Sequence, residues 1–191
     1  MVALKPVLVT APAAFPVSLD MAKRNCRIDH GDDDELILML IESAVSMIDG
    51  PFGLLGRAII NQSWSVSTSA FCDRLELPVD PFVSVTSVQY YDADNTLQTL
   101  ANTVYAAFVG DDWPYIALKS GQAWPSVYAR DDAIKVTWVA GYGANESLVP
   151  ASIRHAILKL VADGYDHRGA SATGEAVAKL PFAVDALLGP R

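Results

Sequence analysis

The stretch DDDELILMLIESAVSMIDG, residues 32–50, carries the clearest periodic pattern of the chain. Its apolar residues recur at helical spacing: Leu36, Ile37, Leu40, Ile41, Ala44, Val45 and Ile48. Residues at this spacing share one face of a helix, and such a face packs against other elements. Asp32 and Glu35 form an Asp-x-x-Glu capping box that predicts the start of the helix. The dipeptide Gly50-Pro51 predicts its end, because proline cannot continue a helix and glycine favours termination.

Two more helices are predicted on either side of this one. Ser18 is a candidate N-cap for a short helix over SLDMAKRNCRI, residues 18–28. Pro150 suits the first turn of a third helix, which should fail around residues 166–169. Its apolar stripe consists of Ile153, Ala156, Ile157, Leu160 and Val161. Residues 1–17 should be extended, because three prolines interrupt them.

Between the second and third helices, residues 58–143 consist of short runs rich in β-forming residues. The turn signals DADN, GDDWP and KSGQ separate these runs. We therefore predict an antiparallel sheet or small sandwich, with Trp64 and Trp138 in its core. Helices and strands in separate blocks indicate an α+β fold, with N-terminal helices and a C-terminal helix packed with the central sheet.

The predicted domain organisation has three parts. Residues 1–17 form an extended N-terminal segment, residues 18–168 a single α+β domain, and residues 169–191 an extended C-terminal tail. Residues 169–179 are small and polar, which predicts a flexible linker. The apolar cluster that follows either packs on its own domain or binds a partner. It consists of Leu180, Phe182, Val184, Leu187 and Leu188.

Composition and charge exclude several classes of protein. Hydrophobic residues make up 51% of the 191 residues and charged residues 19%, which is a globular composition. The net charge is −8, from 14 Lys and Arg against 22 Asp and Glu. Nucleic-acid binding along the whole chain would require cations to displace phosphate counterions, so this balance argues against it. No stretch is apolar enough for a membrane span or a signal peptide, which predicts a cytoplasmic protein.

Sequence motifs for chemistry are weak. Acidic residues cluster around His30 in residues 29–35, but their spacing differs from an EF-hand loop. A turn and a charged first helical turn explain the same residues. Cys26 and Cys72 lie outside any CxxC pattern, which argues against zinc and favours two reduced thiols. The sequence therefore predicts no catalytic residue, no cofactor and no metal site.

The order of several segments resembles the head–tail connector, or adaptor, family of tailed phages, which includes adaptors of phage-like gene transfer agents. PVSLDMAKRNCR at 16–27 precedes the acidic turn, the apolar helix and Gln62-Ser63-Trp64. LPVDPFVSVTSVQYYDADNTLQTL at 77–100 resembles the family's proline-led strand and hairpin. VTWVAGYGANESLVP at 136–150 resembles its last strand and turn, and LPFAVDALLGPR at 180–191 its C-terminal signature. At residues 50–53 the sequence GPFG departs from the family, whose members more often have an aromatic residue, threonine and glycine there.

This resemblance implies a structural protein rather than an enzyme. Such adaptors form a ring, usually dodecameric, beneath the portal, where the ring extends the DNA channel and joins head to tail. The implied partners are the portal protein, downstream neck or tail proteins (a stopper or tail terminator) and further copies of the chain, with DNA only as passing cargo and no membrane. The implied location is the host cytoplasm during assembly and then the particle neck. The C-terminal cluster would dock onto the portal or a neighbouring subunit, because related adaptors use terminal segments this way.

Two other classes of function remain open on the residues alone. A carbohydrate- or protein-binding β-module would be a monomer with an exposed aromatic groove, built from Trp113, Tyr115 and Trp124. A metal-dependent hydrolase would use the acidic cluster at 29–35 and would bind a divalent metal.

Overall fold

The computed structural model describes residues 5–110, 112–167 and 182–188. It contains both α-helices and antiparallel sheets, which confirms the predicted α+β class. The chain divides into two compact units. The sheet unit comprises Met1–Ala13 and Asn61–Gly141, and the helical unit comprises Ala14–Ile60 and Tyr142–Arg191.

The helices of the helical unit begin and end close to the predicted residues. They are α1 (Leu19–Cys26), α2 (Asp34–Ile48), α3 (Ala151–Asp166) and α4 (Phe182–Leu188). The Ser18 hydroxyl accepts a hydrogen bond of 3.3 Å from the backbone N–H of Met21, as an N-cap should. After α2, Gly50 adopts a φ of 82°, a left-handed conformation that glycine reaches without steric cost. Termination near Gly50-Pro51 is therefore confirmed.

The predicted capping box at the start of α2 is wrong. The N-cap is Asp33, one residue later than expected, and its side chain makes no capping hydrogen bond. The Asp33 carboxylate instead accepts a hydrogen bond from the Tyr165 hydroxyl on α3, and the Asp34 carboxylate lies 2.6 Å from the Lys23 ammonium on α1. The Asp32 side chain is 95% exposed. Contacts with the two neighbouring helices hold this turn, and a local sequence pattern contains no information about them.

The core of the helical unit lies between α2 and α3. Both helices contribute apolar residues predicted from their periodicity, and the two helices pack against each other. The buried residues common to prediction and structure are Ile37, Ile41, Ala44, Ile48, Ile153, Ala156, Ile157 and Val161. The predicted extended tail differs in one respect, because residues 182–188 form the helix α4 against α3. Val184, Leu187 and Leu188 have the spacing of one helical face, which explains why this segment is helical.

Among the described residues of the sheet unit, eight strands form two antiparallel sheets. The strands are β1 (Val7–Thr10), β2 (Gln62–Thr68), β3 (Leu75–Glu76), β4 (Phe82–Tyr91), β5 (Leu97–Thr99), β6 (Tyr105–Phe108), β7 (Tyr115–Leu118) and β8 (Ile134–Ala140). The five-stranded sheet has the order β1-β2-β8-β4-β5, and the three-stranded sheet has the order β3-β7-β6. Strand β1 lies in the N-terminal segment that the prolines predicted to be extended.

The central strands of the five-stranded sheet bury one face, whereas its edge strands β1 and β5 are exposed. Along β8 the even-numbered residues are buried and the odd-numbered residues are more exposed, as expected for a strand with one face in a core. Val136 lies between Val66 on β2 and Val88 on β4, and all three are buried. Trp138 is fully buried and its indole N–H donates to the Val79 carbonyl at 3.3 Å. Trp64 is also buried, so the prediction of two core tryptophans is confirmed.

Candidate assembly surfaces

The acidic cluster at 29–35 is a structural turn in the described chain. Asp33 and Asp34 are engaged by Tyr165 and Lys23, and His30 Nδ1 lies 3.8 Å from the carboxylate of Asp32. Within residues 5–110, 112–167 and 182–188, no group of three His, Cys, Asp or Glu side chains is arranged to hold a metal ion. The geometry therefore offers no support for the hydrolase alternative.

Both cysteines are free thiols, and the pKa of each is raised. Burial raises the pKa of Cys26, and the nearby charge of Asp166 raises it further. Burial also raises the pKa of Cys72, although a hydrogen bond with the backbone of Arg74 acts in the opposite direction. Since the thiolate is the nucleophilic form, a raised pKa makes each thiol a poor nucleophile at neutral pH.

The three aromatic residues of the alternative binding groove lie in different surroundings. Tyr115 stacks on Phe108 with ring centroids 5.3 Å apart, and the Arg74 guanidinium lies 4.8 Å from the Tyr115 centroid. Trp113, in the turn between their strands, is 36% exposed.

Trp124 belongs to a second aromatic cluster. Its ring stacks on Phe71 at a centroid distance of 4.4 Å and an interplanar angle of 3°, and Tyr90 meets Phe71 edge-on at 6.3 Å. The ring contacts therefore assign Tyr115 and Trp124 to separate clusters rather than to the walls of one groove.

The C-terminal apolar cluster is partly described. Val184 is fully buried in the core of the helical unit, and Leu187 and Leu188 pack against that core. Phe182 is the first residue of α4. Leu180 and the predicted linker at 169–179 lie outside the described residues. Docking of this cluster onto a partner stays a prediction.

A largely apolar cavity of about 300 Å³ lies in the helical unit. Phe15 and Leu19 form one part of its wall, and Leu38 and Ile41 of α2 form another. Phe15 and Leu38 are 40% and 37% exposed, so the cavity opens to solvent. Sequence periodicity did not predict it, because α2 has apolar residues on more than one face.

The two edges of the five-stranded sheet expose apolar side chains. Val7, Leu8 and Val9 on β1 are 58%, 44% and 50% exposed, and Leu97 on β5 is 50% exposed. In the described part of the chain, no further strand pairs on the outer side of β1 or β5. Free sheet edges with apolar residues are surfaces that other chains pair with. Three consecutive apolar residues between Pro6 and Pro12 were the only sequence signal for the first edge.

The described helices include none that is both long enough and apolar enough to cross a membrane. No family model matches the chain, and no curated protein matches it significantly. The fold itself does match solved structures.

A chain in the virion of a native gene transfer agent particle is 23% identical, with a TM-score of 0.75 over 96% of this chain and 92% of that chain. A chain in the neck of an empty particle, computed with sixfold symmetry, is 21% identical, with a TM-score of 0.74 over 96% and 93%. A chain in the neck of a native particle, computed with twelvefold symmetry, is 20% identical, with a TM-score of 0.64 over 95% and 92%.

These matches extend over both units and nearly the full length of each chain. They agree with the resemblance to adaptors of phage-like gene transfer agents that the sequence motifs carry. The chain has the fold of chains found in the neck and virion of gene transfer agent particles.

Proposed function

We propose that this chain is a structural head–tail adaptor in the neck of a phage or phage-like particle. Copies of the chain form a ring below the portal, which extends the DNA channel and provides the surface for downstream neck and tail proteins. The match over 96% of the chain to a structure from a particle neck carries this proposal. The sixfold and twelvefold symmetries of the two neck structures support a ring as the form of assembly.

Exposed apolar side chains in the helical unit support an assembled state. Met39 and Met47 on α2 are 56% and 47% exposed, and Phe52 and Leu148 are 72% and 56% exposed. Large apolar side chains on a surface commonly mark contacts with other proteins. The outer side of α2 is therefore a candidate surface for contact with a neighbouring copy or with the portal.

The charge of the chain suits the wall of a DNA channel. A net charge of −8 repels the phosphate backbone, so a lumen of this sign would not hold DNA in transit. The sign of the charge thus favours DNA as passing cargo over DNA as a bound ligand.

The C-terminal cluster that we propose to dock onto the portal also contributes to the core of the helical unit. Val184 is buried in the helical core, so truncation after Gly169 would remove a core residue as well as a docking segment. Point changes that keep Val184 separate the two roles better. We propose Leu187 and Leu188, which are only partly buried, as the portal-contact residues of α4.

The deciding experiment combines mass measurement with negative-stain imaging of the purified protein, alone and with its portal. The expected result is a ring on the portal, with six- or twelve-fold symmetry. A chain that stays monomeric in the presence of portal would overturn the adaptor function. A thermal shift of several degrees on addition of Ca²⁺ or Mg²⁺, lost in Asp34→Asn, would favour the hydrolase instead.

A further inference from the structure

The two edge strands of the five-stranded sheet, β1 and β5, have a fixed relative direction. Each neighbouring pair in the order β1-β2-β8-β4-β5 is antiparallel. Four reversals separate β1 from β5, so the two edge strands have the same sense in the sheet, although the twist of the sheet rotates them relative to each other. A ring contact is heterologous: one patch meets a different patch of the next copy. Two different edges of one sheet satisfy this requirement.

The rotation that relates neighbouring copies in a ring keeps β1 and β5 in the same sense. In a twelvefold ring the rotation from one copy to the next is about 30°. A rotation of this size does not reverse the sense of a strand, so β1 of one copy would meet β5 of the next in the parallel sense. Parallel pairing places the beginnings of the two strands side by side.

Charges at the beginnings of these strands are complementary. Lys5 precedes β1 and is the only charged residue among the first 19. The turn that precedes β5 carries Asp92 and Asp94, both exposed or nearly so. The Asp92 carboxylate accepts hydrogen bonds from Thr96 N and Gln98 Nε2, which lower its pKa and keep it ionised at neutral pH. An antiparallel approach would instead bring Lys5 to the uncharged end of β5 at Thr99.

We propose that β1 of one copy pairs in parallel with β5 of the next copy, so that the five-stranded sheet continues from subunit to subunit around the ring. Lys5 lies beside the Asp92–Asp94 turn of the neighbour, and the apolar side chains on one face of β1 lie beside Leu97. This inference rests on the proposed ring-forming function. Both strands are short, with four and three residues, so each contact has few hydrogen bonds. Such a contact is weak between two free copies and becomes stable when the portal holds the copies together.

Cysteine cross-linking tests the contact on the full chain. In a background of Cys26→Ser and Cys72→Ser, the variant Leu8→Cys with Gln98→Cys carries one thiol at the centre of each edge. Mild oxidation or a short bis-maleimide should link portal-bound rings into a ladder of covalent multimers. The matched control is Leu8→Cys with Ser120→Cys, since Ser120 is exposed and follows β7, outside the five-stranded sheet. It should give no ladder.

Charge reversal tests the parallel orientation. Lys5→Glu should weaken ring formation on the portal by about 2- to 5-fold per subunit contact at low salt. Adding Asp94→Lys should restore it, because the swapped pair is again complementary. Failure of the double variant to restore assembly overturns the parallel orientation.

The cross-linking outcomes separate this inference from the proposed function. A ladder that is absent from the control supports the continuous sheet. Rings that form on the portal without a ladder overturn the continuous sheet and leave the adaptor function standing. Absence of any ring overturns the adaptor function, and the sheet contact with it.

Discussion

The helical and sheet units bury their apolar residues in different ways. In the helical unit, α2 and α3 each present one periodic apolar face, and the two faces meet in a core that also includes Val184 of α4. In the sheet unit, the central strands of the five-stranded sheet bury one face, but both its edges leave apolar side chains exposed. A helix satisfies its own backbone hydrogen bonds, whereas an edge strand leaves a row of donors and acceptors for another chain. The difference indicates that the sheet edges are better suited to assembly than the helical core is.

The largest expected effect comes from breaking the helical core. Ile41→Ala removes a fully buried side chain between α2 and α3 and should lower the free energy of unfolding by about 2–5 kcal/mol. All four tryptophans lie in the sheet unit, so tryptophan fluorescence reports that unit, while the circular dichroism signal of helices reports mainly the other. In urea titrations we expect the circular dichroism midpoint to fall more than the fluorescence midpoint.

Met39→Ala is the matched control on the same helix. Met39 is 56% exposed, so its loss should change the stability by less than about 0.5 kcal/mol. Equal shifts of both midpoints in Ile41→Ala would show that the two units unfold together. The helical and sheet units would then share one stability, despite their different packing.

Local pattern predicted the helical unit well and the sheet unit less well, for a physical reason. Helical hydrogen bonds join residues four apart, so nearby caps, glycines and prolines predict most helix ends, although the start of α2 depends on contacts with α1 and α3. Strand pairing joins distant residues: β1 pairs with β2 at Val7↔Ser65, and nothing local specifies that partner. The strand-rich region was therefore predictable, but the sheet order was not.

The candidate surfaces show the same limit. The apolar residues at 180–188 were visible in the sequence, yet the burial of Val184 depends on α3. Val7, Leu8 and Val9 stand out only once β1 is known to be an edge. The separation of Tyr115 and Trp124 into two clusters likewise depends on tertiary contacts with Phe108 and Phe71.

An intermediate effect is expected at the turn before α2. Tyr165→Phe removes the hydrogen bond that α3 donates to Asp33 and should cost about 0.5–1.5 kcal/mol. Asp32→Ala should cost less than about 0.5 kcal/mol, because the Asp32 side chain is 95% exposed and caps nothing. Circular dichroism in urea measures both. If Asp32→Ala were the more damaging change, a local cap would hold the turn, and the helical unit would depend less on contacts between its helices.

The smallest effect is expected at the hairpin between β4 and β5, and it depends on pH. The backbone N–H of Thr96 and then the side chain of Gln98 lower the pKa of Asp92 below its ordinary value of 3.8. Because the folded state binds the proton less readily, the ionised carboxylate stabilises the hairpin above about pH 3.8, and this stabilisation is lost as the pH falls through the lowered pKa. The thermal midpoint of unfolding, measured by tryptophan fluorescence, should therefore decline less steeply below pH 5 in Asp92→Asn than in the unmodified chain. Asp94→Asn removes one charge from the same turn and serves as the control for net charge. An acid profile that is the same for Asp92→Asn and the unmodified chain would show that the hydrogen bonds to Asp92 do not stabilise this hairpin.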